Sequence, residues 1–146
     1  MRRRGRQQQL EDELRATNIV GRYRGSIICT EQGLLVACDG DELGDEEALA
    51  GFASLFDEIV SRGARDLGLA GIDEVTVLDG SAGRLVIRPL GDPAAESSAA
   101  RRRMFLVVAM DADASWRRNT NRLVTRLREI LDPIIAGGAP DESLDS

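Results

Sequence analysis

Six carboxylates crowd the stretch Asp39-Gly-Asp-Glu-Leu-Gly-Asp-Glu-Glu47, and the first chemistry to weigh is calcium binding. Asp39, Asp41 and Gly44 match three positions of a calcium-binding loop, but Leu43 stands at the fifth position and Ala50 at the twelfth, where oxygen ligands are needed. An acidic loop that leads into a helix is the simpler account, because the N-terminal end of a helix favours negative charge. A carboxylate cluster with no apolar pocket beside it is equally thin support for acid–base catalysis. No catalytic, cofactor-binding or metal-ligating residue is assigned, and the chain is expected to be no enzyme.

Two absences narrow the chemistry further. There is no histidine, which removes Ser–His nucleophilic pairs, imidazole acid–base work and the commonest zinc ligand. All 19 basic residues are arginine, so the lysine of a phosphate-binding P-loop and any Schiff-base lysine are excluded. Arginine without lysine suits a GC-rich bacterial genome. The two cysteines, Cys29 and Cys38, flank a short hairpin turn unequally. With a two- to four-residue turn Cys38 falls opposite roughly residues 25 to 27, which in most registers separates the two by more than the roughly 7 Å that a disulfide spans. Reduced thiols are the better reading than a disulfide or a metal pair.

Arginine clusters at Arg2–Arg6, at Arg101–Arg103 and along Arg117, Arg118, Arg122, Arg126 and Arg128 raise the question of nucleic acid. Against it stand a net charge of −6 and only one Trp, one Tyr and three Phe, too few to stack bases. The last group reads as the solvated side of a helix. No run of 18 apolar residues is present, and Arg2–Arg6 is followed by Gln7-Gln-Gln9 and not by an apolar segment, so neither a membrane span nor a secretory signal is expected. A cytoplasmic protein with no membrane or nucleic-acid partner follows.

These residues need a frame. At 146 residues, one domain is the simplest division, with residues 1–6 a disordered basic arm and 137–146 a disordered acidic tail around a domain over 7–136. A short helix over Gln7–Thr17 carries Leu10 and Leu14 on one side. Apolar runs at Tyr23–Thr30 and Leu34–Asp39, separated by Glu31-Gln-Gly33, form a hairpin. Gly44 or Asp45 caps a helix running to Leu67, and Asp66-Leu-Gly-Leu-Ala-Gly71 offers a glycine exit. In that helix Leu49, Phe52, Phe56, Ile59, Gly63 and Leu67 recur at helical spacing and are expected to face the core. Ala50, Ala53, Ser54, Asp57, Ser61 and Ala64 make a second side, small enough for another backbone to approach.

Ile72–Asp79 and Arg84–Leu90 form two more strands, with Val75 and Val77 on one face of the first and Thr76 and Leu78 on the other. Residues 91–103 form a flexible insert tipped with arginine. Met104–Met110 is apolar on both faces, as a central strand is. The closing helix carries Trp116, Thr120, Leu123, Leu127, Ile130 and Ile134, and Pro133 is expected to kink or end it. Helix, two strands, helix, three strands, helix, with hairpin connections, describes an α+β domain on an antiparallel sheet. Glu74-Val-Thr-Val-Leu78 carries a single charge and no proline. At a sheet edge it would need cover from another chain, whereas in a central position, or under a loop, it would need none. Together with the small-residue side of the middle helix, an edge position favours a homodimer through Ala50, Ala53, Ser54, Asp57, Ser61, Ala64 and Glu74, Val75, Thr76, Val77, Leu78.

The chain resembles the roadblock/dynein light chain family over about Leu10–Ile135. The resemblance lies in Val20-Gly21, in Ser26-Ile-Ile-Cys29 with Gln32-Gly-Leu-Leu-Val-Ala37, and in Ala48, Ala50 and Ala53. Val75-Thr-Val77, Gly83-Arg-Leu-Val-Ile-Arg-Pro-Leu90 and Phe105–Met110 complete it. It implies a five-stranded antiparallel sheet with one helix on one face and the two terminal helices on the other, an architecture also similar to profilin. It further implies a homodimer joined through the middle helix and third strand, and a bacterial interaction module that binds and regulates a Ras-like small GTPase. The family also includes scaffolds and cytoskeletal or motor adaptors with no role in a nucleotide cycle. The insert at 91–103 departs from the family pattern.

Overall fold

The computed structural model describes residues 2–69, 72–80, 82–91 and 103–135. The insert expected at 91–103, apart from its two end residues, and the tail expected at 137–146 lie outside them. The elements in chain order are α1 (Arg2–Gly21), β1 (Gly25–Thr30), β2 (Leu35–Asp39), α2 (Glu46–Leu67), β3 (Val75–Leu78), β4 (Gly83–Pro89), β5 (Met104–Asp111) and α3 (Arg117–Ile135). The strands form one antiparallel sheet in the order β2-β1-β5-β4-β3. β5 is central, and its buried run from Met104 to Met110 explains why it shows no polar alternation. β3 is an edge strand, paired through Val75↔Ile87 to Leu78↔Arg84, and among the described residues no strand pairs with its other side.

Strand alternation divides the core in two. One face presents Ile28, Val86, Leu106, Val108 and Met110 to Leu10 and Leu14 of α1 and Leu123, Leu127 and Leu131 of α3. The other presents Ile27, Cys29, Ile87, Phe105 and Val107 to α2. α1 and α3 run antiparallel, since Arg126 pairs with Glu13 while Tyr23, just past α1, meets Asn119 at the start of α3. The Tyr23 hydroxyl donates to the Ser115 carbonyl (2.6 Å) and accepts from Asn119 Nδ2 (3.0 Å), pinning the entry to α3. A Cβ on Gly21 would run into the Tyr23 ring, so glycine is the residue that lets this ring lie against the end of α1.

Three elements differ from the sequence reading. α1 is longer than Gln7–Thr17 at both ends, and its first turns fall within the stretch read as a disordered arm. Arginine and glutamine favour helix without leaving an apolar stripe to detect. α3 runs past Pro133, where an end or a kink was expected, as far as Ile135, the last residue described. β3 is shorter than Ile72–Asp79. Among the described residues no helix is long and apolar enough to cross a membrane.

Candidate interaction surface

The acidic loop resolves into separate structural tasks. Asp45 caps α2, its Oδ1 accepting from the Ala48 amide at 3.0 Å, and Gly68 closes the helix with φ 72. The Asp39 carboxylate accepts from Asn18 Nδ2 (3.0 Å) and Arg15 Nε (3.3 Å), tying the end of β2 to α1. Among the described residues no group of three or more possible ligands could hold a metal ion.

Cys38 lies opposite Ile27, as the hairpin spacing requires, and both thiols are free. Burial pushes the Cys29 thiol up to about 12. Cys38 is also raised, by burial first and then by the negative charge of Glu46, Glu11 and Asp39. Neither is a ready nucleophile at neutral pH, since the thiolate is the reactive form.

The informative part of the molecule is α2. Ala50 and Ala53 are fully buried against the chain's own sheet, and Asp57, with a side chain only 15% exposed, meets Arg103 at 3.2 Å. Gly33 at the hairpin turn (φ +84) comes close to Gly51 and to the Ser54 hydroxyl, which donates to the Gly51 carbonyl. The small-residue side expected at a dimer interface is therefore the side that sits on the sheet. Its lack of bulk lets the helix lie close, and Ala50, Ala53 and Asp57 are used up inside one chain. Of that set, Ser61 and Ala64 are exposed on the last turns, beyond the buried part of the helix.

The stripe expected in the core is displaced correspondingly. At 3.6 residues per turn, the line through Phe52, Phe56, Ile59 and Gly63 is about a third of a turn away from the one through Ala50, Ala53 and Asp57. Ile59 is 62% exposed and Leu67 is 73% exposed, while Leu49, Phe52, Phe56 and Val60 are only half-buried. Phe52 and Phe56 hold each other edge to face, 5.1 Å between ring centres. This flank, on the side of the helix away from Gly33, packs on the same cluster as Val75 of β3 and Leu85 of β4, both also half-buried. Register puts Val77 on that face too, and Thr76 and Leu78 on the opposite one. Phe52, Phe56, Ile59, Val60 and Leu85 were not singled out as surface residues by the sequence. For Phe52, Phe56 and Ile59 the signal was helical periodicity, which does not say which neighbour a stripe meets; Val60 and Leu85 carried no such signal.

No protein-family model and no curated protein matches the chain. Solved structures do. Myxococcus xanthus MglB superposes with a TM-score of 0.70 at 16% identity, covering 85% of this chain and 95% of that one. An MglB with a tetrameric arrangement gives 0.69 at 16% identity, over 87% of this chain and 90% of that one. A Roadblock/LC7 domain from Streptomyces avermitilis gives 0.67 at 16% identity, over 84% and 97% respectively. What so few shared residues preserve over nearly the whole length is the path of the backbone and the order of the strands, and that path is the roadblock fold.

Proposed function

We propose that this chain is a non-enzymatic homodimeric module that docks on a Ras-like small GTPase and regulates its nucleotide cycle in the cytoplasm. One observation carries the reading. A chain with the roadblock fold leaves the Phe52–Phe56–Ile59–Val60 flank of α2 half-covered beside β3, whose outer row of amides and carbonyls has no partner strand among the described residues. A second copy related by a two-fold axis offers the same flank and the same edge, so α2 would pack on α2 while β3 pairs with β3. The interface read from the sequence keeps Glu74, Val75, Thr76, Val77 and Leu78 and exchanges the alanine side of α2 for its aromatic flank. The likeness to MglB structures, one of them a tetrameric arrangement, supports assembly and the GTPase reading in this fold.

Light scattering on the purified chain at micromolar concentration tests the first half, with twice the chain mass of 15.8 kDa expected. Gel filtration with a Ras-like GTPase from the same genome, loaded with GDP and then with a GTP analogue, tests the second. Co-elution in one nucleotide state with a changed hydrolysis rate is the expected outcome. A dimer that binds the GTPase in neither state removes the regulatory role and leaves a scaffold or cytoskeletal adaptor.

A further inference from the structure

Beside the sealed area under α1 and α3, the same face carries a strip over β3 that no described helix covers, and its chemistry is different. Alternation along β4 sends Arg84, Val86 and Arg88 to the side of α1 and α3, with Thr76 and Leu78 of β3 beside Val86 and Arg84. α3 covers Val86 and Leu90 completely but does not extend over β3, where Thr76 is exposed and Leu78 is 63% exposed. The flank of α3 that borders this gap carries Arg117, Asn121 and Arg128, which share one side of the helix by their spacing. The result is a groove with an apolar edge at Leu78 and guanidinium groups along its floor and wall.

Each of these arginines is already held in place by neutral groups. Arg84 donates to the Ala112 carbonyl from Nη2 (3.0 Å) and Nε (3.3 Å), and its guanidinium lies 4.5 Å over the Trp116 ring. Arg117 lies over the same ring at 4.7 Å. Arg88 Nη1 donates to Asn121 Oδ1 (2.8 Å) and Thr120 Oγ1 (3.3 Å), while its Nε is shielded from solvent and has no acceptor among the described residues. Arg128 donates to the Leu90 carbonyl (3.0 Å) and the Gly91 carbonyl (3.3 Å). None of the four makes an ion pair with a described carboxylate, although the chain as a whole is net −6. Guanidinium groups positioned in advance and left without counter-charge are suited to carboxylates, because the ordering cost of the side chains is met before binding.

We propose that this groove between α3 and β3 is the docking site of the acidic segment Asp141-Glu-Ser-Leu-Asp145 of the same chain. Three carboxylates flank Leu144 there, which matches guanidinium groups around the exposed Leu78. The reach is sufficient. From Ile135 back to Arg128 is about 10 Å along α3 and back to Asn121 about 21 Å at 1.5 Å per residue. Chain turned back at Gly137-Gly138 extends up to about 3.3 Å per residue, so Asp141 reaches Arg128 and Asp145 reaches Arg88 and beyond. The inference is independent of the GTPase reading.

The test is nuclear magnetic resonance on the full ¹⁵N-labelled chain, compared with Asp141→Asn/Glu142→Gln/Asp145→Asn. The Nε–Hε signals of Arg84, Arg88 and Arg128 and the amides of Thr76 and Leu78 are expected to differ between the two proteins. Most of that difference should vanish between about 0.05 M and about 0.5 M salt, as the screening length shortens. Arg88→Gln/Arg128→Gln should loosen the tail, seen as a fall in the heteronuclear NOE of residues 141–145. No difference at the groove, or one confined to the first turn of α1 around Arg6, overturns the assignment. So does a difference that fades on dilution, which would mean the segment reaches another copy. A groove that ignores the tail but responds to an added Asp/Glu peptide belongs to a partner's acids, and the proposal falls.

Discussion

The two faces of this sheet are finished to different degrees. Under α1 and α3, two helices tile one face with Leu10, Leu14, Leu123, Leu127 and Leu131, and the apolar side chains meeting them from the sheet are sealed. On the other face a single helix approaches on alanine, and the aromatic side chains that could have filled the layer sit on its flank, half in water. Large residues on the first face and small ones at the contact on the second teach the same lesson. Side-chain volume at the contact sets how near a helix comes, and whatever bulk is not at the contact must find cover elsewhere. The first face is sealed within the one chain, and the second leaves apolar surface half-covered beside β3.

The largest expected effect breaks the finished face. Leu127→Ala removes a side chain with no exposure at all between α3 and the sheet, and should cost about 2–5 kcal/mol in urea unfolding. If the two faces were equivalent, Ile59→Ala on the exposed flank would cost the same. It should instead fall within about 0.5 kcal/mol of the parent when unfolding is measured at a concentration where the chain is monomeric.

Next in size is a change at the alanine contact. Ala53→Leu inserts bulk where α2 rests on the sheet and should destabilise by about 1–3 kcal/mol through overpacking. Thermal unfolding reads it directly. A neutral outcome would mean α2 sits less closely on the sheet than its buried alanines indicate.

Much of this contrast was legible in the residues and part of it was not. The strands and their faces were, because Val75/Val77 and Thr76/Leu78 alternate and Met104–Met110 does not. The edge position of β3 was posed as one of two alternatives, and strand order decided it. What periodicity could not give was the rotation of α2. It found both of the helix's stripes and assigned the bulky one to the core, since apolar volume is the usual mark of a buried face. The long range of Asp57 to Arg103 and of Arg84 to Trp116 explains why neither contact could be read, since each joins elements far apart in sequence. The basic helix surface of α3 looked uniformly solvated, although Arg117 and Arg128 lean toward β4 while Arg118 and Arg122 face water.

A smaller effect comes from the thiol beneath α2. Burial pushes the folded Cys29 thiol up to about 12, against 9.0 for an exposed thiol. The folded pKa is raised, so the contribution is fully present below pH 9 and is lost as pH rises toward 12. The slope should be about 1.4 kcal/mol per pH unit within that window. Stability measured from pH 8 to pH 10.5 should therefore fall more steeply for the parent than for Cys29→Ala, which has no thiol to ionise. Equal slopes would show that water reaches this layer.

The smallest effect on stability is the sharpest test of the comparison. Ile59→Glu places a charge on the exposed flank of α2, where a single chain in water loses almost nothing and unfolding should shift by less than about 0.5 kcal/mol. In a dimer the same carboxylate would be desolvated against its two-fold mate, and like charges brought together in an apolar seam cost several kcal/mol. Light scattering should then report the mass of one chain where the parent gives two. Should the variant keep the dimer mass, the α2 flank is not the seam. β3 alone, or a surface on the finished side, would then have to hold the copies together, and the difference between the two faces would lose its functional meaning.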